Sequence, residues 1–342
     1  MSKVVQVKYG IKGVFHLKEK TAVQQDTAVM LLNMGGPEKL EDVEPFLFNL
    51  FSDRLIIRLG PAFMQKFIAR FISRKRAPKS SKTYELIGGG SPLGKTTADQ
   101  ATALEKLLIP KGSYKVAVAM RYWHPRVEPT LKDLQLIGIN KIIALPLYPH
   151  YSIATSGSSL EDLSKANLAT PSPCGIAEIS SWQTQPLYIE ALAGGIIKSL
   201  ESFGSEKVQV VYSAHSLPVK FIQEGDPYVD HLKETIAAVE KITNAPGKIC
   251  YQSRSGPVEW LTPSTPDMIE QLASEGCENI LMVPISFVSD HVETLYEVDM
   301  LYKDMANKLG MRLERSPSLN LNPKFIEALK ELVLDKIADQ NW

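Results

Sequence analysis

LMVPISFVSD (Leu281–Asp290) runs from an apolar segment through an internal proline into a polar loop, and a helical pattern follows it. IALPLYPHYS (Ile143–Ser152) makes the same passage in the first half of the chain. Neither apolar run alternates with polar residues. Each therefore suits a strand buried on both faces, as in a parallel sheet covered by helices. The repetition points to two duplicated α/β lobes, with the chain crossing between them near Pro171–Ser181.

The surrounding pattern fits. Strands are predicted at Ala28–Asn33, Lys115–Arg121, Lys141–Leu147, Val208–Ala214, Ile249–Gln252 and Asn279–Ser286. Helices are predicted at Val43–Phe51, Ala62–Ser73, Gln100–Leu108, Val127–Ile137, Pro186–Phe203, Val229–Thr243, Pro266–Glu275, His291–Leu309 and Pro323–Ile337. Such alternation is that of an α/β protein, not a β-sandwich. At 342 residues the chain is long enough for two cores with a cleft between them.

Charge and cysteine content narrow the function. With 38 basic and 38 acidic residues the net charge is +0, so no general field draws the chain to nucleic acid. Cys174, Cys250 and Cys277 lack the spacing of a zinc site or a disulfide framework, which makes a reducing cytoplasm the expectation. Residues 1–26 have neither the apolar run of a signal peptide nor the arginines of a transit peptide, and read as a flexible N-terminal extension. No apolar stretch approaches the roughly 20 residues of a membrane-spanning helix. Contact with a membrane is expected to be peripheral at most.

Ligands of open α/β sheets gather beyond the carboxyl ends of the strands. In NMGGP (Asn33–Pro37) the paired glycines admit either close approach of backbone to a ligand or a tight strand-to-helix turn. MRYWHP (Met120–Pro125) sets a cation among aromatic faces, suited to a flat anionic ligand or to a core. GGGSP (Gly88–Pro92) lacks the Lys-Ser/Thr ending of a phosphate-binding loop. VVYSAHSLP (Val210–Pro218) leaves His215 among small residues, either as a core histidine or as an imidazole able to accept a proton or hold a metal. In SDHVETLYEVD (Ser289–Asp299), Glu293 and Glu297 fall one turn apart on one helix face, with His291 and Asp299 pointing elsewhere. Like charges so spaced cost a few tenths of a kcal/mol, about what water on a solvated face, or a cation or shared proton in a cleft, would offset.

Taken in order, LLNMGGP, GGGSPL, MRYWHP, LYPHYSIATSGSSL, YSAHSLP, GDPY, YQSRSGPVEWL and VPISFVSDHVETLYEVD resemble the ferrochelatase family, from about Ala28 to about Phe325. That resemblance implies insertion of Fe²⁺ into protoporphyrin IX or coproporphyrin III with release of two protons, the terminal step of haem synthesis. A chelatase for another tetrapyrrole or metal, and a non-catalytic porphyrin or haem carrier, are the competing readings. The implied fold has two Rossmann-like, chelatase-type lobes with four-stranded parallel sheets flanked by helices and a porphyrin cleft between them. Residues 27–175 form the first lobe, 176–318 the second, which carries the metal site, and 319–342 a C-terminal helix packing back on the first lobe.

The same resemblance implies that His215 and Glu293 face the metal, a mixed and incomplete N/O set suited to Fe²⁺ as a substrate that must be released. Glu297 continues an acidic path, with His291 and Asp290 near its mouth, and Leu301 stands where a further carboxylate is expected. Met34, Ser91, Pro92, Arg121, Tyr122, Tyr148, Trp260 and Phe287 are implied to line the macrocycle. Arg121 and the run Arg74, Lys75, Arg76 could meet its propionates, although a basic run also suits a solvated helix end. Apolar residues of Ala62–Phe71 would form a membrane-facing lip. With Ile153 where some relatives have a cysteine, and no cysteine after Cys277, no iron–sulfur cluster is expected and no resident cofactor is implied. The implied place is the cytoplasm, at the periphery of the inner membrane, with the number of subunits left open.

Overall fold

The computed structural model describes residues 26–342, apart from 113, 255 and 257. The expected N-terminal extension lies outside the described residues except for Asp26, which pairs with Lys141 at 3.2 Å. The first sheet joins β1 (Thr27–Asn33), β2 (Tyr114–Met120), β3 (Lys141–Pro146) and β4 (Gly175–Glu178) in the order β2-β1-β3-β4. The second joins β5 (Gln209–His215), β6 (Gly247–Gln252), β7 (Asn279–Pro284) and β8 (Arg312–Arg315) in the order β6-β5-β7-β8. All pairings are parallel, so the second lobe repeats the topology of the first.

The two strands the sequence pattern leaves out, β4 and β8, are the outer ones beside β3 and β7. Each pairs on one side only and shows partly exposed residues, so neither needs the apolar run that marks a central strand. β4 also lies inside the predicted crossover. The lobe boundary expected after residue 175 cuts its first residue from the rest, and the first sheet extends to Glu178.

Helices α1 (Val43–Ser52), α2 (Gln65–Leu86), α3 (Leu93–Leu108), α4 (Val127–Leu136) and α5 (Ser158–Leu168) serve the first lobe. The second uses α6 (Pro186–Glu201), α7 (Val219–Gln223), α8 (Tyr228–Thr243), α9 (Thr265–Ser274), a π-helical segment Glu293–Tyr302 running into α10 (Lys303–Lys308), and α11 (Pro323–Gln340). α2 passes through Pro78 and ends thirteen residues beyond the predicted Ser73, held against α1 by buried Ala77 and Tyr84. α5 went unpredicted because its Ser-rich start reads as loop. Ser152 caps the preceding turn through the Ala154 amide, and Leu160 and Leu163 bury the face behind it.

The lobes are not separate. One core runs from Val29 and Leu145 of the first sheet to Tyr212, Leu281 and Val283 of the second, closed by Phe325, Leu329 and Val333 of α11. α11 packs on α3 and β3, as expected of a helix returning to the first lobe, and also on α6. Phe325 stacks on Trp182 with centroids 6.1 Å apart. Among the described residues no helix is long and apolar enough to cross a membrane.

Candidate active site

β5 and β7 are neighbours, so their carboxyl ends emerge side by side in the second lobe. β5 ends on His215, whose backbone N–H donates to Ser286 Oγ at 3.0 Å. From there the chain leads into the π-helical segment, whose first residue is Glu293. His215 Nδ1 meets Glu293 Oε2 at 2.8 Å. In neutral His215, Nδ1–H donates to the carboxylate and Nε2 keeps the lone pair, an arrangement that orients a base and makes it more basic. Burial lowers the His215 pKa, but the Glu293 charge outweighs it and holds the group above its ordinary value. Burial likewise works against the Glu293 carboxylate, and His215 beside it keeps that carboxyl below the usual range.

Glu297 stands behind this pair on the same face, as its spacing predicts. Ser253, at the exit of β6 and in the left-handed region at φ 64°, lies 2.9 Å from Glu293 Oε2 and 2.7 Å from Glu297 Oε2. A hydroxyl has one proton to give. Both contacts coexist when Glu297 is protonated and donates to Ser253, which donates to Glu293. Burial, with the Glu293 charge adding to it, pushes the Glu297 carboxyl up to about 7, in keeping with that assignment. Tyr302 OH reaches Glu297 from the far side at 3.3 Å.

His215 and Glu293 line a cleft holding about 1000 Å³ of space open to solvent. Met34, Tyr148, Trp260 and Phe287 lie in its wall, as expected. His150, Tyr228 and His291 lie there too. Helical spacing turned His291 elsewhere while the resemblance put it near the mouth of the acidic path; its ring sits 4.3 Å from that of Phe287, and burial lowers its pKa. The signal in the sequence was its place two residues before Glu293 at a strand exit.

Other expected residues lie elsewhere. Arg121 is held by Asp53 at 2.9 Å and Asp162 at 3.3 Å, and Tyr122 OH donates to Asp53 at 2.7 Å, so both are occupied in a buried cluster rather than lining the cleft. Ser91 and Pro92 are likewise outside the cleft wall, where Leu93 takes their place. The two glycine loops press on each other: a Cβ on Gly36 would meet Ser91 Oγ at 2.7 Å, and one on Gly90 would meet the Glu38 carbonyl oxygen at 2.1 Å. The glycines Gly36 and Gly90 thus serve the close packing of the two loops, while Met34 of the first motif lines the cleft. Arg74, Lys75 and Arg76 lie mid-way along α2, not at a helix end; Arg74 pairs with Glu44 and Arg76 stacks over Phe51. Asp290 is taken up by Arg315 at 3.0 Å, which also binds Asp299 at 2.7 Å. Leu301 is 47% exposed, so the carboxylates on this segment do not continue outward there.

Among the described residues no group of three or more His, Cys, Asp and Glu side chains forms a closed metal cage. His215 and Glu293 are an open donor pair, one nitrogen and one oxygen, that could hold a borderline divalent ion in passing.

A family model described as Ferrochelatase matches residues 26–337. The ferrochelatase of Desulfotalea psychrophila is 58% identical over 313 residues, covering 90% of this chain and 97% of that relative. The ferrochelatase of Geotalea uraniireducens is 50% identical, with 92% and 99% covered. Among solved structures, SirB from Bacillus subtilis with Fe³⁺ matches with a TM-score of 0.52 at 12% identity, covering 93% of this chain and 98% of that one, a likeness of fold.

Proposed function

We propose, from the premise that this chain belongs to the ferrochelatase family, that it inserts Fe²⁺ into a porphyrin held in the cleft, with His215 and Glu293 at the point of insertion. The observation that carries the residue assignment is the 2.8 Å contact of His215 Nδ1 with Glu293 in the cleft wall. Insertion removes two N–H protons from the macrocycle. His215 Nε2 accepts the first, its basicity raised by the carboxylate behind it, and passes it to the solvent open to the cleft before it takes the second. Glu293 offers oxygen to the arriving ion as water is shed, and protonation of His215 leaves a charge that Glu293 balances. Ser253 and Glu297 carry the acidic face onward. Met34, Tyr148, Trp260 and Phe287 supply apolar and aromatic surface for the ring.

Iron is substrate here, and the reading calls for no resident cofactor or cluster; Cys174 and Cys250 are buried in different cores. The test is anaerobic: Fe²⁺ supplied with protoporphyrin IX and, separately, coproporphyrin III should give metalloporphyrin absorbance with at least one ring. No spectral change with either would overturn the reading, and the ratio of kcat/KM values assigns the substrate.

The reading also puts the protein in the cytoplasm, against the inner membrane. Phe67 and Phe71 fall one turn apart on α2, Phe63 lies in the short 3-10 turn just before it, and the three are 75%, 66% and 86% exposed. Lys66 and Arg70 stand among them. The loop between α1 and α2 contributes Ile56 to the cleft wall, which connects this face with the route of a poorly soluble ring. Sedimentation with anionic phospholipid vesicles should capture the protein. Replacing the three phenylalanines by serine should weaken capture by about 10²-fold or more, since burying each ring is worth roughly 1.5–3 kcal/mol. Equal capture of both proteins would remove the membrane assignment.

A further inference from the structure

GDPY (Gly225–Tyr228) has no part in the chemistry so far, yet its aspartate reaches across the cleft. Asp226 Oδ2 accepts the Ser152 hydroxyl at 2.9 Å and the Ile153 N–H at 2.8 Å, both on the loop that leaves β3 in the first lobe. Its other oxygen accepts the Tyr228 N–H at 3.1 Å, at the start of α8. Two further contacts extend the seam along α8. His231 Nδ1 accepts the Tyr151 N–H at 3.1 Å. The Thr235 hydroxyl donates to the Gln183 carbonyl at 2.8 Å, so His150 Nε2–H donates to Thr235 at 2.9 Å. α8 and the turn that leads into it thus hold consecutive residues 150–153 of the first lobe.

Both sides of the seam face the cleft. Tyr148, His150, Ser152, Ala154 and Thr155 form its wall on the first lobe. Tyr228 forms it on the second and donates its hydroxyl to the His215 carbonyl at 3.1 Å. A charged acceptor taking two donors on one oxygen is a strong, directional tie. Residues 153–157 form a π-helical turn closed on the Ser152 carbonyl by the Thr155 and Gly157 amides, and Asp226 anchors the start of that turn from the opposite lobe, which decides where its wall residues stand.

We propose that Asp226 is a positioning residue for the porphyrin, a clasp that sets the width of the cleft by fixing the 150–155 loop against α8. It acts through the wall, on ring binding, and not on metal insertion once the ring is seated. The proposal rests on the chelatase reading for its ligand but not for its geometry, and two readouts separate them. Asp226→Ala should raise KM for the porphyrin about tenfold, the loss expected for one charged hydrogen bond, while kcat stays within about threefold. Amide hydrogen exchange at Tyr151 and Ile153 should accelerate in the ligand-free protein. Asp226→Asn keeps an acceptor without its charge and should fall between. Unchanged KM with unchanged exchange in both variants overturns the clasp, as does a loss confined to kcat. If the unmodified protein inserts no metal, the chelatase reading fails, while the exchange rates still decide whether Asp226 holds the loop.

Discussion

Replacing His215 by alanine is expected to lower metal insertion by about 10²- to 10⁴-fold, the range a positioned base contributes. The fold should survive. The side chain is 37% exposed, its opening is onto the cleft, and among the described residues its ring bonds to Glu293 alone. Porphyrin affinity, measured by quenching of ring fluorescence, should change little because aromatic and apolar side chains supply most of the wall. In the unmodified enzyme kcat/KM should rise with pH. The base must be unprotonated to act, and the raised pKa of His215 sets that limb above the ordinary imidazole value. Retained turnover in the alanine variant would refute the assignment of the base.

Glu293→Gln is expected to have the second largest effect, an activity loss of about 10²-fold or more, because it exchanges a carboxylate oxygen for an amide nitrogen and removes the charge that keeps His215 basic. Its pH limb should move down, toward an unassisted imidazole. Glu297→Gln should cost less, being one step behind. An equal loss in the two variants would contradict this inner and outer order. The outer carboxyl carries an opposite signature in stability. Its folded pKa of about 7 lies above the usual 4.5, so the unfolded chain ionises Glu297 first as pH rises. Stability falls through that window, and the penalty is complete above pH 7. Glu297→Gln should therefore make the protein more stable at neutral pH, by roughly 1–3 kcal/mol in urea unfolding, and flatten the slope between those pH values.

Strands buried on both faces were legible because their pattern is written in the chain: β1, β3 and β7 carry the unbroken apolar runs 28–32, 142–146 and 280–284. Outer strands β4 and β8 were not, since one-sided pairing relaxes the pattern. At the site, His215, Glu293 and Glu297 could be found from residue type at strand exits and from family motifs, and they do come together. Arg121 and Tyr122 stand at such an exit too. What the sequence could not reveal was Asp53, distant in the chain, whose carboxylate occupies both. His291 was read by helical spacing as turned away; it sits instead in the loop before the π-helical segment that begins at Glu293, and its turn toward Phe287 is a property of that folded loop. The Asp226 seam joins residues from opposite lobes, and spacing alone cannot show such a meeting.

The hydrophobic interior shared by both lobes bears on mechanics. Two bodies joined by a thin linker would swing, and a stiff planar guest would push them apart. Here Phe325, Leu329 and Val333 of α11 fill the space between the sheets, in a medium as dense and as little compressible as an organic crystal. Against a core that gives so little, a tetrapyrrole seated in the cleft is expected to buckle rather than part the lobes, which would turn its nitrogen lone pairs out of the plane toward an incoming cation.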